Sequence, residues 1–326
     1  MKKILFAAAA ALALVSCEQE NVTEIPQDLA ISFGQTFVEG TYYRTKADDP
    51  STTTESITGF NVWGYMENTD AVLFDGDEVT KVGNEWTYGE FQYWTPNNTY
   101  YFAALAPMNS ANWTADTVGA NAYGLGVVKF ANVDGTEDLL YAAAAVTTPD
   151  QETITAMGVE AVKLNFSHLL SKVKFTFVNG FATDNASIVV KNIQMAAPAT
   201  GTIDLAVANW WDNDDWKLGA GETTLAFGDV AKLATGASAA SAAERLTIPA
   251  DATYEYDITF TVELYIGETL AMTADKAVKV SNVALNMGKG YNFKAVITPE
   301  HLGLLPIVFE VEEVKDWVDA GEVQAN

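Results

Sequence analysis

Nine consecutive residues, Ile258-Thr259-Phe260-Thr261-Val262-Glu263-Leu264-Tyr265-Ile266, alternate apolar with polar or amphipathic side chains without a break. Successive side chains of a strand point to opposite faces, whereas a helix repeats every 3.6 residues, so only a strand gathers this run's apolar members on one side. The run predicts a strand with Ile258, Phe260, Val262, Leu264 and Ile266 on a core face and Thr259, Thr261, Glu263 and Tyr265 outside. Gly267-Glu268 then turns the chain into the next strand.

Shorter runs of the same kind recur along the chain at 31–37, 60–65, 85–88, 100–105, 162–166, 173–177, 291–297 and 307–311. They are rich in aromatic and β-branched residues. Between several of them stand turn clusters such as Asp75-Gly76-Asp77, Gly83-Asn84 and Pro96-Asn97-Asn98. Short strands separated by turn signals, rather than strands alternating with long helical patterns, predict an all-β sandwich fold. Only Ala142 to Ala145 suggests a helical turn.

A chain of 326 residues has room for about two domains. The polar, Pro-containing Thr147-Thr148-Pro149-Asp150-Gln151-Glu152-Thr153 lies between two apolar blocks and marks the expected junction, with an N-terminal domain over 29–148 and a C-terminal domain over 156–326. With 49% hydrophobic residues the chain can bury a core in each, which excludes an intrinsically disordered class. Lys and Arg total 18 against 43 Asp and Glu, a net charge of −25. Such a surface repels nucleic-acid phosphates and anionic lipid heads, so nucleic acid is not an expected partner.

The N-terminus carries an address. Lys2 and Lys3 precede an apolar run from Ile4 to Val15, and small residues lead to Cys17, the anatomy of a secretory signal over 1–16. The run is shorter than the roughly 20 residues of a permanent membrane span. Leu14-Val15-Ser16-Cys17 matches the bacterial lipobox, whose Cys is acylated and becomes the first residue of the mature protein. Cys17 is the single Cys, so the fold must hold by packing rather than by an internal disulfide. Residues 17–28 are the expected tether. A first strand over about 30–43 follows, with Ile31, Phe33 and Phe37 on one face. The polar stretch 45–56, with its Pro, Ser and Thr, reads as an exposed loop that a protease can enter, which places the Arg44–Thr45 bond at the seam between strand and loop.

The inventory for chemistry is thin. His168 and His301 are the two histidines and Cys17 the lone thiol, so no zinc cluster and no Cys–His pair can be assembled without carboxylates. Neither a phosphate-binding loop nor a Gly-x-Ser-x-Gly elbow occurs; no catalytic residue, metal site or cofactor is expected. His168, between Phe166 and Leu169, reads as a hydrogen-bonded structural histidine. Asp212-Asn213-Asp214-Asp215 lacks the Gly and Glu of a calcium loop and reads as a solvated acidic turn. Trp210, Trp211 and Trp216 around it would stack on sugar rings if exposed, and would pack under a long loop otherwise.

Several segments together resemble the Mfa-like fimbrillins. They are the leader with its lipobox, Asp138-Leu139-Leu140-Tyr141-Ala142, Phe166-Ser167-His168-Leu169-Leu170-Ser171-Lys172-Val173, Gly288-Lys289-Gly290-Tyr291, and a terminal strand followed by Trp317. The resemblance implies two transthyretin-like Greek-key β-sandwich domains in tandem and a role as a subunit or adhesive accessory of type V pili. It implies export as a lipoprotein to the outer-membrane surface, then trimming by a trypsin-like or Arg-specific protease. Trimming removes the first strand, and a strand from another pilin subunit fills the groove. On this chain Arg44 and Thr45 would flank the cut, and Ile31, Phe33 and Phe37 would mark the displaced strand. Ile307, Phe309 and Val311 form a candidate donor strand or an internal one. Expected partners are other pilin subunits, in a homo- or hetero-polymer, the processing protease, the outer membrane through the lipid anchor, and a host glycan or protein receptor. The alternative is a monomeric surface lipoprotein that binds glycan.

Overall fold

The computed structural model of the chain describes residues 29–34, 36–38, 51–67, 69, 71–117, 125–206, 216–236, 239–303 and 305–314. The first half runs through β1 (Phe37–Val38), β2 (Gly59–Met66), β3 (Val72–Val82), β4 (Glu85–Thr87), β5 (Thr99–Ala106), β6 (Trp113–Thr117), β7 (Leu125–Ala131), β8 (Leu140–Thr147), α1 (Gln151–Met157) and β9 (Asn165–His168). The second continues with β10 (Ser171–Asn179), β11 (Ala186–Pro198), β12 (Thr200–Asp204), β13 (Lys217–Leu218), β14 (Glu222–Ala234), β15 (Ala240–Thr247), β16 (Tyr256–Ile266), β17 (Thr269–Val280), β18 (Gly290–Ile297), α2 (Pro299–Leu302) and β19 (Glu310–Val314). The fold is all-β, as the two-residue periodicity requires.

Among the described residues the strands form four sheets. A seven-stranded sheet has the order β1-β9-β8-β5-β2-β3-β4, and a four-stranded one, β13-β12-β7-β6, covers one of its faces. Within the seven-stranded sheet the interior strand β2 is buried along almost its whole length because both faces are covered. Phe60 and Val62 enter a first core with Phe33, Phe74, Phe102 and Phe166. Trp63 and Tyr65 enter a second core with Val128, Phe130, Ile203 and Trp216. Gly64 is required at this crowded point: a Cβ there would lie 2.6 Å from the Phe74 ring.

The remaining two sheets, β15-β10-β18-β19 and β14-β11-β16-β17, face each other around a third core. Phe175 and Phe177 of β10, Phe227 of β14, Ile258 and Phe260 of β16 and Phe293 of β18 fill it. Alternation along β16 holds for Ile258, Phe260 and Val262, but Leu264 is only partly buried and Ile266 is 45% exposed, against expectation. The hairpin carries Ile266 beyond the reach of the opposing sheet. At Gly267 the chain turns with φ +57°, a left-handed conformation that suits glycine.

Three local expectations are corrected. Ala142 to Ala145 are not a helical turn: they lie in β8, paired with β5 from Thr99↔Thr147 to Ala106↔Leu140. The ladder with β5 outweighs the intrinsic helical preference of alanine. The polar stretch around Pro149 starts α1, where Asp150 accepts from the Thr153 N–H at 2.9 Å as N-cap. Strand pairing in the region 162–168 is an isolated bridge at Val162 followed by β9, rather than one strand over 162–166.

Strands on both sides of the polar stretch 147–153 share sheets. β9 pairs with β8 through Leu140↔His168 and Tyr141↔Ser167. Further on, β12 leaves the second half of the chain to pair antiparallel with β7, from Thr200↔Ala131 to Asp204↔Val127. Asn132 Nδ2 donates to the Leu246 carbonyl at 3.1 Å, and the Leu246 N–H to the Gly135 carbonyl at 2.8 Å, so the two halves are also stitched at β15.

Candidate functional site

The segment over 29–38 is held along both sides. On one side the Ile31 N–H donates to the Gln92 carbonyl at 2.7 Å and the Trp94 N–H to the Leu29 carbonyl at 3.0 Å. On the other, the Gly34 N–H donates to Val162 O at 2.8 Å, the Val162 N–H to Ser32 O at 2.7 Å, and the Phe37 N–H to Leu164 O at 3.1 Å. β1 itself runs parallel to β9, with Phe37↔Asn165 and Val38↔Phe166. The segment therefore bridges the β9 edge of the seven-stranded sheet and the chain that follows β4.

Ile31 and Phe33 anchor it. Phe33 is 5% exposed, and its ring meets Phe60, Phe74, Tyr88 and Phe102 edge-on at 5.7, 5.7, 5.8 and 6.1 Å. The Tyr88 hydroxyl donates to the Ile31 carbonyl. Burial pushes the Tyr88 phenol up from its ordinary value, so it stays a neutral donor at physiological pH. Phe37 departs from the expected face: it is only half-buried, while Thr36 and Val38 point inward. Between the bridges Phe33↔Val162 and Phe37↔Asn165 the N-terminal chain advances four residues and its partner three. That one-residue bulge swaps the two faces of the strand.

Beyond Val38 the chain returns at Ser51, so Arg44 and Thr45 lie outside the described residues, as do Cys17, Trp210 and Trp211. The returning limb is well packed: Ser51 and Thr53 are buried and Ile57 joins the first core. A cleft of about 460 Å³ borders the end of the strand, lined by Thr36, Thr54, Glu55, Lys81, Asn84 and Trp86.

The other expected residues fall elsewhere. Ile307 and Phe309 are buried in the third core, where the Phe309 ring meets Phe175, Phe177, Phe260 and Phe293 at 5.5 to 6.3 Å. Val311 pairs with Phe293 as part of β19, an edge strand beside β18. Trp216 is 8% exposed and its indole N–H donates to the Leu169 carbonyl at 3.0 Å, so it is a packing residue and offers no face to a sugar. His168 is buried and hydrogen-bonded to Asp138, the structural role its apolar neighbours indicate. Among the described residues no three His, Cys, Asp or Glu side chains gather as a metal site. The seat of the strand, formed by Tyr88, Gln92, Trp94, Val162 and Leu164, escaped sequence reading because nothing local marks residues that meet across some sixty to 130 positions of chain.

Comparison with known proteins agrees with this architecture. A fimbrial protein from Bacteroides vulgatus shares it at a TM-score of 0.60 with 15% sequence identity, over 87% of this chain and 98% of that one. A candidate cell adhesion protein from Bacteroides uniformis overlays more loosely, at 0.46 with 17% identity, over 90% of this chain and 100% of that one. No curated protein matches in sequence. The sequence model of the fimbrillin-like family matches residues 45–317, nearly everything after Arg44, and the chain belongs to that family.

Proposed function

We propose that this chain is a pilus subunit or accessory adhesin that is exported as a lipoprotein on Cys17, trimmed at the Arg44–Thr45 bond, and assembled by strand exchange. One observation carries the reading: the segment over 29–38 is seated between two backbone edges, yet it is tied to the body only by side contacts once the chain beyond it is cut. Its departure would strip partners from the Gln92, Val162 and Leu164 carbonyls and from the Trp94 and Val162 N–H groups. It would also empty the pocket that Phe33 fills. Unpaired edges beside an apolar slot are what an incoming strand satisfies. The family match starting at Thr45 supports the same division, since the part to be discarded lies outside it.

A neighbouring subunit would supply the new strand. This chain's own Ile307, Phe309 and Val311 could serve as a donor only after leaving the third core, where Phe309 touches four rings. The polymer would be homo- or heteromeric and the trimming enzyme Arg-specific or trypsin-like. Adhesion to a host receptor would then be a property of the assembled fibre or of its end.

The test is limited trypsin digestion of the folded chain with N-terminal sequencing and sizing of the product. A new N-terminus at Thr45, followed by ladders on gels run without heating, is the expected result. An uncut Arg44 in folded protein, or trimmed protein that stays monomeric at high concentration, would overturn the proposal.

A further inference from the structure

The returning limb that starts at Ser51 is fixed by a buried acid–imidazole pair. The Thr52 N–H donates to Asp138 Oδ2 at 2.6 Å. His168 Nδ1 lies 2.9 Å from the same oxygen and 3.1 Å from Oδ1. Asp138 is 3% exposed and His168 5%. A carboxylate this deep is tolerable only with such donors, and a bond to its charge is stronger than one to a neutral acceptor. Asp138 stands just before β8 and His168 ends β9. The pairs Leu140↔His168 and Tyr141↔Ser167, with the Leu169 N–H donating to Leu139 O at 2.9 Å, hold the two side chains at a spacing set by the sheet. The two segments that meet here are among those that carry the fimbrillin resemblance.

From Thr52 the limb closes on itself. The Ser56 and Ile57 N–H groups donate to the Thr53 carbonyl at 3.0 and 2.9 Å, and the Thr53 N–H to Ser56 Oγ at 2.7 Å. This turn presents Thr54 Oγ1 to the Val38 N–H at 2.9 Å, at the far end of the seated strand. The limb that would remain on the body after a cut in 39–50 thus grips the strand that would leave.

We propose that the Asp138–His168 pair is a latch: it keeps the 51–57 limb docked after the chain is cut and, through Thr54, sets how fast the severed strand departs. The proposal rests on the trimming and strand-release reading above. Asp138 and His168 act here as positioning residues, working through Thr52 and Thr54 on a bond that neither touches. Without the latch, cutting would free both limbs at once and the new N-terminal stretch would fray from the first core before any partner arrived. With it, the cut chain waits with its strand in place.

Three proteins decide this: the full chain, Thr54→Val, which removes the acceptor of the Val38 N–H and leaves the latch intact, and Asp138→Asn. Each is followed by hydrogen exchange before trypsin treatment and by the rate of loss of the N-terminal fragment after it. Thr54→Val should speed loss of the fragment by about threefold to tenfold, the worth of one hydrogen bond, with Thr52 still protected. Asp138→Asn should expose the Thr52 and Val38 amides in the uncut chain and speed release at least as much, while amides of β16 keep their protection. Equal release rates in all three proteins, or unchanged Thr52 and Val38 protection in Asp138→Asn, would overturn the latch. If Asp138→Asn loses β16 protection it has failed to fold, and Thr54→Val alone decides. If trypsin leaves 39–50 intact, the trimming reading falls, and protection of Thr52 and Val38 in uncut chains still judges the latch.

Discussion

Replacing Phe33 with Ala should unseat the N-terminal strand without dismantling the rest. The ring is almost wholly buried and meets four aromatic neighbours, none of which can follow it into the space it leaves, because Phe60, Phe74 and Phe102 sit on three different strands of one sheet. Truncations of this kind cost about 3–5 kcal/mol. In the unseated state residue 33 is already in water, so the loss falls almost entirely on the seated form. At about 1.4 kcal/mol per factor of ten, the opening constant should rise by about a hundredfold to several thousandfold. The Val162 and Trp94 amides report it directly, since their acceptors are the Ser32 and Leu29 carbonyls of the leaving segment. Their exchange should accelerate by that factor with little dependence on denaturant, because unseating one short segment exposes little surface. Wild-type protection at Val162 and Trp94 in Phe33→Ala would refute the reasoning. So would acceleration that carries the steep denaturant dependence of global unfolding.

Trp216→Ala should lower stability by about 3–5 kcal/mol, visible as a shifted denaturation midpoint; a role in sugar binding would instead leave the midpoint in place and abolish retention on a glycan array. Gly64→Ala should destabilise by about 1–3 kcal/mol, measured by thermal unfolding, because the new Cβ meets the Phe74 ring. Hydrogen bonds from the Thr153 N–H and hydroxyl hold the Asp150 carboxyl below the usual carboxylate range. The cap's contribution to α1 is therefore complete above the ordinary aspartate pKa and is lost as pH falls through the lowered one. Amides of α1 should lose protection in that acid window, after correction for intrinsic rates, and Asp150→Asn should flatten the dependence.

How much was legible in the sequence differs between fold and site. The strands of the third core could be read from their apolar alternation, which holds along β18 and along β16 as far as Val262. The strand β2 could be placed but not oriented, since two covered faces erase the alternation. The alanines of β8 misled because helical preference is a weak local bias and the ladder with β5 is a strong non-local one. At the site, Ile31 and Phe33 were readable as anchors of a first strand. The bulge that turns Phe37 out and Val38 in was not, because it depends on the register of Val162 and Asn165 more than a hundred residues on. Asp138 and His168 stood in recognisable segments, but their meeting over the Thr52 amide is a product of the fold.

The excursion of β12 and β13 into the first half has a consequence for the order in which the protein can be built. As the chain emerges from its N-terminus, the sheet of β6 and β7 has one side open until Thr200–Asp204 appears, and its core stays unfilled until Trp216, Leu246 and Ile248 arrive. Nearly the first 250 residues must therefore be out before this second core is complete, whereas the first core draws only on residues up to Phe166. In a chain with that dependence the second core closes only after most of the length has left the ribosome.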